Sequence, residues 1–184
     1  MAFTPKFTSY AGMLPIMEAA KTILESDFLD ALTWRCALDG ATVGEDFARI
    51  QFSQMHSQKF PLCVIQPAQD LPQQITGGLQ QRHIFDVEIF ITRAINSGSQ
   101  VDGINALSED LIRYYDATVA TLTSATDAQW IASLPAGANI GGIRPFCTNG
   151  VFGQIQEGSA RETAGQYLRS MAFELQVQMV EGEN

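Results

Sequence analysis

The sequence predicts an α+β fold: a mixed, largely antiparallel sheet of about four strands with helices packed on one face. Three observations carry this. Residues 83–95 alternate apolar and polar side chains with the period of a strand. Residues 101–124 place apolar side chains three and four apart, as an amphipathic helix does. The final segment, YLRSMAFELQVQM, returns to a period of two. The 184 residues fit one domain by the usual ~100–200 residues per unit. Residues 1–184 are accordingly read as a single domain, with 1–59 its least defined part.

In chain order, residues 15–37 read as helical, with Pro15 in the first turn and Ile16, Ala20, Ile23 and Leu24 on one face. Asp27 is placed to cap a second short helix carrying Phe28, Leu29 and Leu32. Residues 38–59 are punctuated by Gly40 and Gly44, and Ala48–Ser53 alternates as a strand would. FPLCVIQ, from Phe60 to Gln66, is short, apolar and bounded by Pro61 and Pro67, which suits a buried strand. QPAQDLPQQITGGLQQ, residues 66–81, holds two prolines, a Gly-Gly pair and six glutamines. It reads as a loop, too long for a tight hairpin.

In the next segment Phe85, Val87, Ile89 and Ile91 share one face, while Ile84, Asp86, Glu88 and Phe90 share the other. The following helix carries the stripe Ile104, Leu107, Leu111, Tyr115, Val119 and Leu122, with Glu109 and Arg113 on its polar side. Trp130 and Ile131 look like an anchor after it. Val151–Gln156 reads as a strand and residues 157–165 as a turn. In the last strand Tyr167, Arg169, Met171, Phe173, Leu175, Val177 and Met179 lie opposite Ser170, Ala172, Glu174, Gln176 and Gln178. The expected order is α, β, β, α, β, β, with no repeat at a solenoid period.

Composition narrows the function. Eleven Lys+Arg against twenty Asp+Glu give a formal charge of −9, and Lys/Arg clusters interleaved with aromatics are missing, so tight nucleic-acid binding is not expected. No apolar run approaches the ~20 residues of a membrane span, and the N-terminal segment lacks the continuous apolar core of a signal peptide. Cys36, Cys63 and Cys147 form no C-x-x-C pair and lie in apolar surroundings, which predicts reduced structural thiols.

Catalytic chemistry finds little foothold. His56 and His83 have no second His or Cys near them in sequence, so no metal site is expected. The glycine pairs at 77–78 and 141–142 match neither phosphate-binding fingerprint, and no cofactor is expected. Two alternatives from other classes remain open. Cys63 and His83, meeting across a hairpin, would seed a small Cys-dependent hydrolase. A peptide or small ligand bound on the sheet would make the chain a binding module. Asp86 and Glu88, ~7 Å apart on one strand face, are suited to acid/base work or to an interfacial strand face answered by Arg82 and Arg93. Sixteen glutamines, concentrated at 66–81 and on the polar faces of the last two strands, suit a protein contact surface, because uncharged amides desolvate at modest cost.

The order of a leading helix, FPLCVIQP, a long polar segment, HIFDVEIFIT, ALSEDLIRYYDATVATL and YLRSMAFELQVQM resembles the tail terminator proteins of long-tailed bacteriophages. The resemblance covers most of the chain. It implies a non-enzymatic virion protein, assembled in the host cytoplasm, that forms a ring of six subunits. Such a ring closes the head-proximal end of the tail tube and contacts the tube protein on one side and a neck or connector protein on the other. Other phage neck and head-completion proteins have similar folds and are the nearest alternative. On this reading Arg82, Asp86, Glu88, Arg93, Arg161, Glu162, Gln73 and Gln74 are candidates for the contact between subunits.

Overall fold

A computed structural model describes residues 12–35, 49–50, 62–75, 78–94, 100–134, 140–157 and 166–181. Helix α1 (Met13–Arg35) is followed by the short strand β1 (Arg49–Ile50), then by β2 (Leu62–Ile75) and β3 (Gly78–Ala94). Helices α2 (Gln100–Ser124) and α3 (Asp127–Ala132) come next. Strands β4 (Ile140–Phe152), β5 (Gln156–Glu157) and β6 (Gln166–Glu181) complete the described residues. The six strands form one sheet in the order β1-β2-β3-β6-β4, with β5 also paired to β6. Among the described strands only β1 runs parallel to its neighbour, and the other pairings are antiparallel. The α+β class is therefore correct, with more strands than the four expected.

Long apolar alternation decides the sheet's centre. β3 and β6 pair along fifteen positions, from Gln80↔Val180 to Ala94↔Gln166. Because side chains alternate across a pleated strand, this register stacks Phe85 beside Leu175, Val87 beside Phe173 and Ile89 beside Met171. All six are buried, in one cluster with Ile16, Ala20, Ile23 and Leu24 of α1 and Leu107, Leu111 and Leu122 of α2. The helical faces expected from sequence are thus the ones that pack on the sheet. Burial extends beyond the stripe read for α2, because that helix touches both α1 and the sheet. Thr118 and Thr121, buried on its second contact side, satisfy their hydroxyls by donating to the carbonyls of Tyr114 and Ala117 at 2.7 and 2.8 Å.

Three expectations need correction. Residues 66–81 are not a loop: β2 runs to Ile75, pairs with β3 as far as Ile75↔Gly78, and leaves two residues between the strands. The backbone ladder tolerates the polar, proline-bearing sequence because β2 lies toward the sheet's margin. A bulge between Pro67 and Gln69 absorbs the irregularity. Second, Asp27 caps nothing; α1 is continuous through it, and its carboxylate accepts a 2.9 Å hydrogen bond from Gln129 Nε2. Third, the strand expected at Val151–Gln156 begins earlier, at Ile140, and is interrupted at 153–155 before β5. Gly153 bridges that interruption by donating its N–H to Ser170 O at 2.8 Å, and a β-carbon there would collide with Ser170 Oγ. Trp130 and Ile131 anchor the chain as expected, on the helix α3. Its Thr126–Gln129 capping box satisfies two backbone donors.

Of the strand expected at Ala48–Ser53, Arg49–Ile50 is described, paired with Val64 and Ile65. The turn at 157–165 lies outside the described residues beyond Glu157. No described helix is long and apolar enough to cross a membrane.

Candidate functional site

The two faces of the sheet have different fates. The one holding Phe85, Val87 and Ile89 lies under the helices, whereas no described helix covers the other. On that face, among the described residues, Val64 and Phe90 are nonetheless buried, in a small apolar cluster with half-buried Leu168 against them.

Pairing register sorts the rest of the face into rows across β3, β6 and β4. Arg82 lies beside Gln178 and Gln178 beside Arg144. Two residues along, Ile84, Gln176 and Phe146 make a neutral row. Two further, Asp86, Glu174 and Thr148 make an acidic one, and Glu88, Ala172 and Val151 follow. Successive rows are ~7 Å apart. Phe146 and Val151 keep 47% and 61% of their surface in water, unusual exposure for large apolar side chains.

Asp86 and Glu174 are direct cross-strand neighbours, a like-charge arrangement that costs stability. Glu174 is partly relieved by donors: Asn149 Nδ2 at 3.2 Å, Thr148 Oγ1 at 3.4 Å and Gln176 Nε2 at 3.5 Å. Asn149 takes the left-handed backbone conformation, φ 59°, inside the bulge between Thr148 and Val151, which asparagine tolerates better than most residues. Among the described residues Arg82, Asp86, Glu88 and Arg144 form no ion pair.

The candidates named from sequence divide accordingly. Arg82, Asp86 and Glu88 share the open face. Arg93 does not answer those carboxylates: its odd position turns it to the helical side, where Nη1 donates to Asp110 Oδ2 at 2.8 Å. Gln73 and Gln74 lie on β2, opposite Gln80 and Leu79, rather than in a loop. Arg161 and Glu162 lie outside the described residues. Sequence reasoning missed Arg144, Phe146 and Thr148, because their strand is broken up by Gly, Pro and Asn. Glu174 was visible on the polar side of the last strand, but its acidic neighbour emerges only from the register.

Cys63 and His83 are not brought together. Cys63 pairs with Ile89 and His83 with Asp70, so six residues of β3 separate the two positions, ~20 Å. Burial pushes the Cys63 thiol up to about 12 and that of Cys147 likewise to about 12, which leaves both protonated and poorly nucleophilic near neutral pH. Both are free thiols, and Cys36 lies outside the described residues. His83 is fully buried, with Nδ1 3.2 Å from Asp70 Oδ1, and its ring lies 6.3 Å from that of Phe85. Among the described residues no group of three or more His, Cys, Asp and Glu side chains could hold a metal ion.

At the opposite end of the sheet, Arg169 ties β6 to its surroundings. Its guanidinium donates to Ser108 Oγ of α2 and to Gly153 O, and lies 4.9 Å from the centre of the Phe152 ring. This is structural bracing rather than an open site.

Fold and site together define a class: an α+β protein with one sheet face under helices and the other presenting ordered charge and exposed apolar side chains. No protein-family model matches the chain, and no curated protein matches it in sequence.

Proposed function

We propose that this protein is a structural assembly component of the tail-terminator kind, closing the head-proximal end of a phage tail tube as a ring of six subunits. The observation that supports it is the open sheet face, where Arg82, Arg144, Asp86 and Glu88 stand without ion-pair partners among the described residues, beside exposed Phe146 and Val151. Charges held in fixed rows on a stiff sheet orient a partner more than they tighten it. A ring requires head-to-tail contacts between two different surfaces of each subunit. The flanks of the sheet, β1 and the length of β2 beyond it on one side and β4 on the other, are two such surfaces. Side chains along them meet the next subunit in the ring.

The test is a density map of assembled virions, or cross-linking of assembled tails with mass spectrometry. A ring at the tube's head-proximal end is the expected result. Single copy, or a position elsewhere in the particle, overturns the assignment.

A further inference from the structure

We infer that the open sheet face binds a second copy of this chain, face to face, about a two-fold axis running along the neutral row Ile84, Gln176 and Phe146. This goes beyond the ring proposal and does not depend on it.

The basic row contains Arg82 and Arg144; the acidic row contains Asp86 and Glu174; they lie at equal two-residue spacing on either side of the neutral row. A two-fold axis along that middle row exchanges the outer rows and leaves each strand facing its own counterpart. Arg82 of one copy then faces Asp86 of the other, Gln178 faces Glu174, and Arg144 faces Thr148 with Glu174 diagonally beside it. The middle row meets itself, Ile84 on Ile84 and Phe146 on Phe146, and water leaves the exposed Phe146 ring. The same docking relieves the Asp86–Glu174 repulsion within each copy, because each carboxylate pair acquires arginines from across the interface.

Other axes do worse. One parallel to the strands places like row on like row, acidic on acidic. Val64 and Phe90, farther along the same face, are already buried, so the contact centres on the rows from Arg82 to Asp86 and is a small one, in keeping with reversible pairing.

The experiment is sedimentation equilibrium of the full chain from micromolar to several hundred micromolar, with Arg82→Glu, Asp86→Arg, an equimolar mixture of the two variants, and the double variant. The wild type is expected to pair reversibly, more weakly as salt rises. Each single variant is expected to weaken pairing about tenfold or more, by placing like charges across the axis twice per dimer. The mixture is expected to recover it to within about threefold of wild type, since the glutamate introduced in one chain then faces the arginine introduced in the other. The double variant recovers it for the same reason. Far-UV circular dichroism establishes that each variant is folded, and Phe146→Ser supplies a charge-independent second probe that also weakens pairing.

A monomeric wild type overturns the inference, as does an oligomer indifferent to both single variants, or failure of both the mixture and the double variant to recover pairing. A hexamer that ignores these substitutions refutes the face-to-face pair while leaving the ring intact. Absence of the protein from the tube end does the reverse.

Discussion

Along β3, neighbouring residues serve opposite purposes. Phe85, Val87 and Ile89 are fully buried beneath α1 and α2, whereas Asp86, one position away, is exposed and Ile84 and Glu88 are only half-buried. The covered face follows one rule, exclusion of water from apolar surface, and its residues are interchangeable with others of similar volume. The open face follows another, in which position within a row matters more than hydrophobicity. The comparison teaches that stability and recognition are separable here at single-residue resolution.

The contrast is broken most readily by large-to-small changes on the covered side. Phe85→Ala is expected to cost ~3–5 kcal/mol in denaturant unfolding, while Asp86→Ala stays within ~0.5 kcal/mol. Equal losses would mean that the two faces are not distinct. Next in size, Leu111→Ala on α2 should cost ~2–5 kcal/mol. Arg113→Ala, on the same helix with a 3.9 Å contact to Asp110 and 41% side-chain exposure, should cost no more than ~1 kcal/mol.

A third measurement uses pH. Folded Cys63 and Cys147 keep their protons to about 12, whereas unfolded thiols ionise near 9.0. Between those values the native state binds more protons than the unfolded chain, so stability falls as pH rises through that window. The slope reaches about 1.4 kcal/mol per pH unit for a fully buried thiol. Cys63→Val should flatten the pH dependence above 9.0 in thermal melts; an unchanged slope would place the thiol in water. The smallest effect sharpens the comparison. Arg93→Ala removes a partly exposed ion pair on the helical side and should cost ~0.2–1 kcal/mol. Arg82→Ala on the open face should leave the melting temperature of the dilute, unpaired chain unchanged and weaken self-association.

The parts legible in the sequence are those where one face is buried against a continuous neighbour. β3, β6 and α2 sit at the centre, and burial imposes periodicity on their composition. Where burial weakens, so does the signal. Gln66, Pro67, Ala68, Gln69 and Asp70 are exposed in β2, so nothing selects for alternation and the segment imitates a loop. β4 hides behind Gly141, Gly142, Pro145, Asn149 and Gly150, residues that bulges use and that composition reads as turn formers. In α3, six residues are too few to display a helical period, yet Thr126 and Gln129 spell a capping box that marks its start. The candidate face was legible one strand at a time. Its rows depend on register, and register depends on partners far away in the chain.

The margins of the sheet have a consequence for how the protein survives at high concentration. An exposed strand edge offers a ladder of unpaired amides on which other chains can polymerise without limit. Here β2 carries Pro67 and Pro72 with a bulge between Pro67 and Gln69, and β4 carries Pro145 with two register shifts of its own. Each proline deletes a donor, and each bulge bends the strand out of the flat geometry that fibril growth requires. Concentrated solutions of the folded protein are therefore expected to resist thioflavin-positive fibre formation. Replacing Pro145 with valine should shorten the lag before fibres appear, a liability the native edge chemistry suppresses before any partner is met.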